Sequence, residues 1–75
     1  MAHQRVFDYP AQAEGQELRI NAANVASITL TVDQTWTGRW NVTILATGSY
    51  TALFDNETAA RAFYQLWTAR VEDAL

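Results

Sequence analysis

The chain has 75 residues, no cysteine and a formal net charge of −3. A single domain of this length buries only about 60% of its unfolded surface, and without cysteine it gains nothing from disulfides or thiolate-bound metals. Oligomerisation is therefore the remaining source of extra stability. The acidic balance argues against a partner bound through the nucleic-acid phosphate backbone, because that binding needs a basic surface.

Several other classes of function also find no support. No apolar run approaches the roughly 20 residues of a membrane-spanning helix, and the chain start lacks the apolar core of a signal peptide. The acidic residues are scattered and the one histidine, His3, lies beside the terminus. We therefore expect a cytoplasmic protein that is not an enzyme, with no catalytic residues, metal site, cofactor or membrane partner. All five basic residues are arginine, a pattern that we associate with a GC-rich bacterial genome or its phage.

Residues 1–16 are weakly patterned, and more regular segments follow them. Within residues 1–16, only residues 6–9 favour a short edge strand, and the Pro- and Gly-containing segment after them indicates a loop. Leu18 and Ile20 alternate with polar neighbours and predict a second short strand. The Asn-rich segment 21–24 then predicts a tight turn or one helical turn.

Three longer strands follow in the middle of the chain. Apolar and polar residues alternate over 26–36 and again over 40–46, and residues 49–54 form the third strand. Thr-Gly pairs at 37–38 and 47–48 supply the turns between them. One face of this sheet is apolar, whereas the other is rich in threonine and can stay solvated.

The register of the first long hairpin stays open. Keeping Trp36 and Trp40 on one face requires them to pair directly, across a three-residue loop that ends at Arg39. That loop usually has glycine at its last position. Either Arg39 adopts a strained conformation, or a two-residue turn with a nearby bulge replaces the loop.

Residues 55–75 are predicted to form one helix, since neither glycine nor proline interrupts them. Asp55 or Asn56 offers an N-cap, and Glu57 in the first turn complements the helix dipole. The whole chain, residues 1–75, is thus predicted as a single small α+β domain. Its architecture is an antiparallel meander of three to five strands with one C-terminal helix packed on one face.

The apolar arc of this helix is the main functional clue. It covers roughly 240°, while a helix packed on one face of a sheet needs only a little more than about 100°. We assign Ala59, Phe63 and Leu66 to the core and the surplus to an interface, because aromatic residues are enriched in interfaces. Arg70 also falls inside the arc, where it either extends its head to water or forms an ion pair with Asp73 or an acid of another subunit. The predicted interface residues are Tyr64, Trp67, Arg70, Val71 and Leu75.

A second candidate site consists of Trp36, Arg39 and Trp40. Two indoles with a guanidinium between them can sandwich a flat, nucleotide-like ligand and hold its phosphate. The alternatives are a cross-strand aromatic pair that closes one end of the core, or part of a protein interface.

Three functions are compatible with the sequence. The first, which we favour, is a non-enzymatic protein-interaction module, a homo-oligomer that uses the helix stripe and a sheet edge to bind or mask a host or cellular protein. The second is a small-ligand binder that uses Trp36, Arg39 and Trp40. The third is a structural subunit of a larger assembly.

Overall fold

Two antiparallel sheets and one C-terminal helix make up the computed structural model, which describes residues 5–35 and 37–74. The elements in chain order are β1 (Val6–Tyr9), β2 (Leu18–Asn21), a 3-10 turn (Ala22–Asn24), β3 (Ser27–Val32), β4 (Trp40–Leu45), β5 (Ser49–Phe54) and α1 (Glu57–Ala74). β1 pairs with β2, and the second sheet has the order β3-β4-β5. The predicted α+β fold class, a strand meander with a C-terminal helix packed on the sheet, is confirmed. Among the described residues no helix has the length and apolarity that a membrane crossing requires.

The alternation predicted for the central strand β4 is confirmed. Val42 and Ile44 are fully buried on the inner face, under the helix. Thr43 lies on the outer face, where its hydroxyl is 3.1 Å from the hydroxyl of Thr51 on β5. Because successive side chains of a strand point to opposite faces, this one strand separates the apolar core from the threonine-rich surface.

The first long hairpin has a wider loop than the sequence suggested. Trp40 pairs with Val32, so direct pairing of Trp40 with Trp36 is wrong, and β3 is shorter than the predicted 26–36. The ladder ends where the Asp33 N–H donates to the Arg39 carbonyl at 2.8 Å. The Asp33 side chain accepts from the Thr35 N–H at 2.8 Å, which turns the chain out of the strand early. Trp36 itself lies outside the described residues.

The core is assembled around Trp67 of α1, which has no exposed surface. The rings of Phe7 and Tyr9, both on β1, lie edge-on to it with centroid distances of 5.8 Å each. The Tyr9 hydroxyl also reaches the sheet, donating toward the Tyr50 carbonyl at 3.1 Å and the Val42 carbonyl at 3.3 Å. The β1–β2 hairpin therefore contacts both the helix and the sheet. Burial of the Tyr9 hydroxyl in this position raises the pKa of Tyr9 to about 12.

The helix is rotated relative to the core face that the sequence predicted. Ala59 and Leu66 were assigned to the core, but both are exposed, Leu66 at 47%. The buried face instead runs through Ala60, Trp67 and Ala74. This rotation places the largest ring between the sheet and the β1–β2 hairpin, where it can be enclosed from two sides. The helix begins as expected, with the Asn56 side chain accepting from the Ala59 N–H at 2.8 Å.

Candidate functional site

The three-stranded sheet ends in two edges, β3 and β5. The hydrogen bond from Asp33 to Arg39 sets the phase of the β3–β4 ladder. Since alternate residues of an antiparallel strand direct their backbone groups to the same side, Ser27, Thr29 and Thr31 face β4. The N–H and C=O groups of the alternate set point away from the sheet, toward the open edge of β3. This set is Ile28, Leu30 and Val32.

The open edge of β3 lacks the usual protection of an exposed strand. Its six residues contain no charge and no proline, both of which discourage pairing with another chain. One protective feature is present at its start, where Ala26 also donates to the Leu45 carbonyl at 2.7 Å, beside the Ser27–Leu45 pair, as in a β-bulge. At the other end Val32 is 41% exposed. The rest of the edge is a straightforward template for a further strand.

A groove with both apolar and polar lining lies beside the start of β3, between this strand and α1. It has a volume of about 280 Å³ and is open to solvent. Residues 25–28 form its sheet side, with apolar side chains at Val25 and Ile28, and the helix side consists of Tyr64, Thr68, Val71 and Glu72. All four apolar residues are half-buried, so part of each remains available to another molecule. A groove of this kind can receive the side chains of a segment that pairs with the edge.

The predicted interface residues divide into three groups in the structure. Tyr64 and Val71 line the groove beside β3. Trp67 is fully buried in the core, so its assignment to an interface is corrected: the β1–β2 hairpin covers it within the monomer. Arg70 packs against that hairpin as well. Leu75 lies outside the described residues.

Arg70 is held by aromatic rings. Its guanidinium carbon lies 4.2 Å from the ring centroid of Phe7 and 5.2 Å from that of Trp67, both within cation–π range. The suggested ion pair with Asp73 or with an acid of another subunit stays a prediction. The half-buried side chain of Arg70 thus closes one side of the Trp67 core.

The opposite edge strand, β5, differs from β3 because its inner side chains are packed within the molecule. The bond from the Ala46 N–H to the Gly48 carbonyl, at 2.9 Å, sets the phase there, so Ser49, Thr51 and Leu53 face outward. The inner side chains of β5 belong to an aromatic cluster: Tyr50 lies 6.2 Å from Tyr9 and Phe54 lies 5.1 Å from Phe63, centroid to centroid. Both edges are uncharged, but the groove described above adjoins only β3.

The residues predicted to bind a nucleotide-like ligand are only partly described. Trp40 begins β4 and is half-buried, with Val32 and Phe54 as its neighbours across the sheet. A guanidinium nitrogen of Arg39 lies 4.0 Å from a carboxylate oxygen of Asp55, an acid that competes with any phosphate for that charge. Trp36 falls outside the described residues, and ligand binding by this cluster stays a prediction.

One signal for the β3 edge was present in the sequence. Residues 25–32 contain no charged side chain, whereas an edge strand normally carries one. Which strand forms the edge depends on pairing between distant residues, so that signal could not be assigned to a position.

Within residues 5–35 and 37–74, no three potential metal-ligating side chains come together. Comparisons with protein-family models, with curated proteins and with solved structures found no match.

Proposed function

We propose that this chain is a non-enzymatic protein-interaction module that binds an extended segment of another chain along the open edge of β3. The observation that carries the proposal is the combination of an uncharged open edge with an adjoining groove that contains apolar side chains. In strand addition, main-chain hydrogen bonds supply affinity and side-chain grooves supply specificity. Both parts lie side by side here.

The shape of the site indicates what the bound segment contains. The groove is lined by Val25, Ile28, Tyr64 and Val71, so we expect an apolar side chain at the position of the segment that faces it. Because successive residues of a strand alternate between faces, the next residue faces the threonine-rich side and is polar. Glu72 is exposed and lines the groove on the helix side, so it disfavours an acidic side chain on the inner face of the segment.

Selection from a random-peptide display library tests this function. We expect selected peptides to alternate apolar and polar residues, and to shift the backbone amide resonances of Ile28, Leu30 and Val32 in an NMR titration. Val32→Pro is expected to weaken binding by about tenfold or more, because it removes an outward N–H and places a ring on the edge. The fold tolerates this change, since proline is accepted on edge strands.

Leu53→Pro is the matched control for that experiment. It also places proline at an outward-facing, exposed position (Leu53 is 62% exposed), but on the edge of β5. Its binding should equal that of the unchanged protein, with both variants shown to be folded by circular dichroism. Peptides that shift β5 amides, or that bind Val32→Pro as well as they bind Leu53→Pro, would contradict the proposal.

The oligomeric state, cellular location and source of the protein are also part of the proposal. A homo-oligomer agrees with the small size and the lack of cysteine, which leave association as the source of extra stability. A cytoplasmic location, a bacterial or phage source and the masking of a host protein stay predictions from the sequence.

A further inference from the structure

We infer that the edge of β3 pairs with the same edge of a second copy of this chain, forming a two-fold symmetric, continuous six-stranded sheet. This inference rests on the proposed function, since it names the segment that the edge binds. It follows from the register that the outward backbone groups permit and from the side chains that this register brings together.

Only the even-numbered residues of β3 offer free backbone groups, so a two-fold axis through Leu30 uses all of them. Leu30 then pairs with Leu30 of the second copy, and Ile28 pairs with Val32 of the second copy in both directions. These are the hydrogen-bonded pairs of an antiparallel ladder. Shifting the register by two residues in either direction, which moves the axis by one residue, leaves Ile28 or Val32 without a partner in β3 of the second copy.

This register places no two like charges opposite each other along the paired strands. No residue of β3 is charged, and Asp33, which directly follows the strand, falls opposite Ser27 of the second copy. On the outer face Thr29 stands beside Thr31 of the second copy, at a pair that is not hydrogen-bonded through the backbone and therefore has the shorter separation. Threonine pairs at such positions stabilise a sheet.

The register also covers the exposed apolar surface on the inner face. Val32, at 41% exposure, comes to lie beside Ile28 of the second copy, where the groove begins. Both helices lie on the same face of the joined sheet, with Tyr64 and Val71 directed to the boundary between the copies. The β5 edge offers no such complement, because its inner side chains are already packed against Tyr9 and Phe63.

A pair of double variants tests the register without disturbing the core. Thr29 and Thr31 are exposed, and each faces the other across the axis. Thr29→Lys/Thr31→Lys places like charges opposite each other twice, whereas Thr29→Lys/Thr31→Glu places opposite charges there twice. Sedimentation equilibrium at protein concentrations up to about 1 mM is suitable, since it detects a dimer with a dissociation constant as weak as about 1 mM.

We expect the unchanged protein to dimerise. The dissociation constant of the dimer should rise at least about tenfold in the Lys/Lys variant, and in the Lys/Glu variant it should equal that of the unchanged protein or be lower. Ser49→Lys/Leu53→Lys adds the same charge at two exposed positions of the β5 edge and should leave dimerisation intact. A monomer throughout, or equal weakening by Lys/Lys and Lys/Glu, overturns the self-pairing. If the protein does not self-pair but peptides still shift the β3 amide resonances, the proposed function stands. If peptides do not bind either, both the self-pairing and the proposed function are contradicted.

Discussion

Replacing Trp67 with alanine is expected to remove a large part of the protein's stability. Trp67 is fully buried, and its ring packs against Phe7, Tyr9 and Phe63. Truncating a buried Trp to Ala lowers the free energy of unfolding by about 3–5 kcal/mol. A domain of this length has a total of only about 4–11 kcal/mol at about 0.05–0.15 kcal/mol per residue. Urea denaturation followed by far-UV circular dichroism measures the loss.

Leu66→Ala is the control for this prediction, because Leu66 is the neighbouring helix residue that the sequence placed in the core. The structure leaves it 47% exposed, so its truncation should lower the free energy of unfolding by about 1 kcal/mol or less. Trp67→Phe should fall between the two, since it keeps an aromatic ring and removes an indole N–H that has no acceptor among the described residues. A larger loss for Leu66→Ala than for Trp67→Ala would mean that the helix is rotated differently.

Alkaline pH is expected to destabilise the protein through Tyr9. Burial raises the pKa of Tyr9 from 10.0 to about 12, so the folded protein keeps this proton where the unfolded chain has lost it. Stability is therefore complete below about pH 10 and falls as the pH rises to about 12. The loss amounts to about 3 kcal/mol, at about 1.4 kcal/mol per pKa unit. The sequence has no lysine, so lysine ionisation does not overlap with that of Tyr9.

Tyr9→Phe isolates this effect. At neutral pH the variant should be less stable by about 1–2 kcal/mol, because the hydrogen bonds to the Tyr50 and Val42 carbonyls are lost. Between pH 10 and 12 its stability should be nearly constant. Denaturation curves collected at intervals of half a pH unit make the comparison. An unchanged protein with the same pH dependence as Tyr9→Phe would show that Tyr9 ionises normally in the folded state.

The strands were predictable because their patterns are local. β5 has the predicted bounds, and β1 and β2 lie where short strands were expected. Each of these strands is bounded by a loop or turn sequence, and apolar and polar residues alternate in β2. The error in β3 came from reading the alternation through Asp33 to Trp36, whereas the Asp33 side chain turns the backbone instead.

The rotation of α1 was not predictable in the same way. An apolar arc of roughly 240° admits several core faces, and helical periodicity alone does not choose among them. The deciding element is the β1–β2 hairpin, which covers Trp67 and Arg70 from the side that the sequence assigned to a partner. The wide arc therefore has an explanation within the monomer for these two residues. Tyr64 and Val71 instead line the groove beside the β3 edge, where another molecule can contact them.

The most direct test of the β3 edge as the binding site is amide hydrogen exchange, compared between dilute protein and protein that is concentrated or saturated with a selected peptide. We predict that the amides of Ile28, Leu30 and Val32 gain protection, because they acquire acceptors only when another strand pairs with them. The amides of Ser49, Thr51 and Leu53 on the β5 edge should exchange at an unchanged rate. Protection gained on β5, or on neither edge, would contradict the assignment of β3 as the surface through which this protein binds other chains.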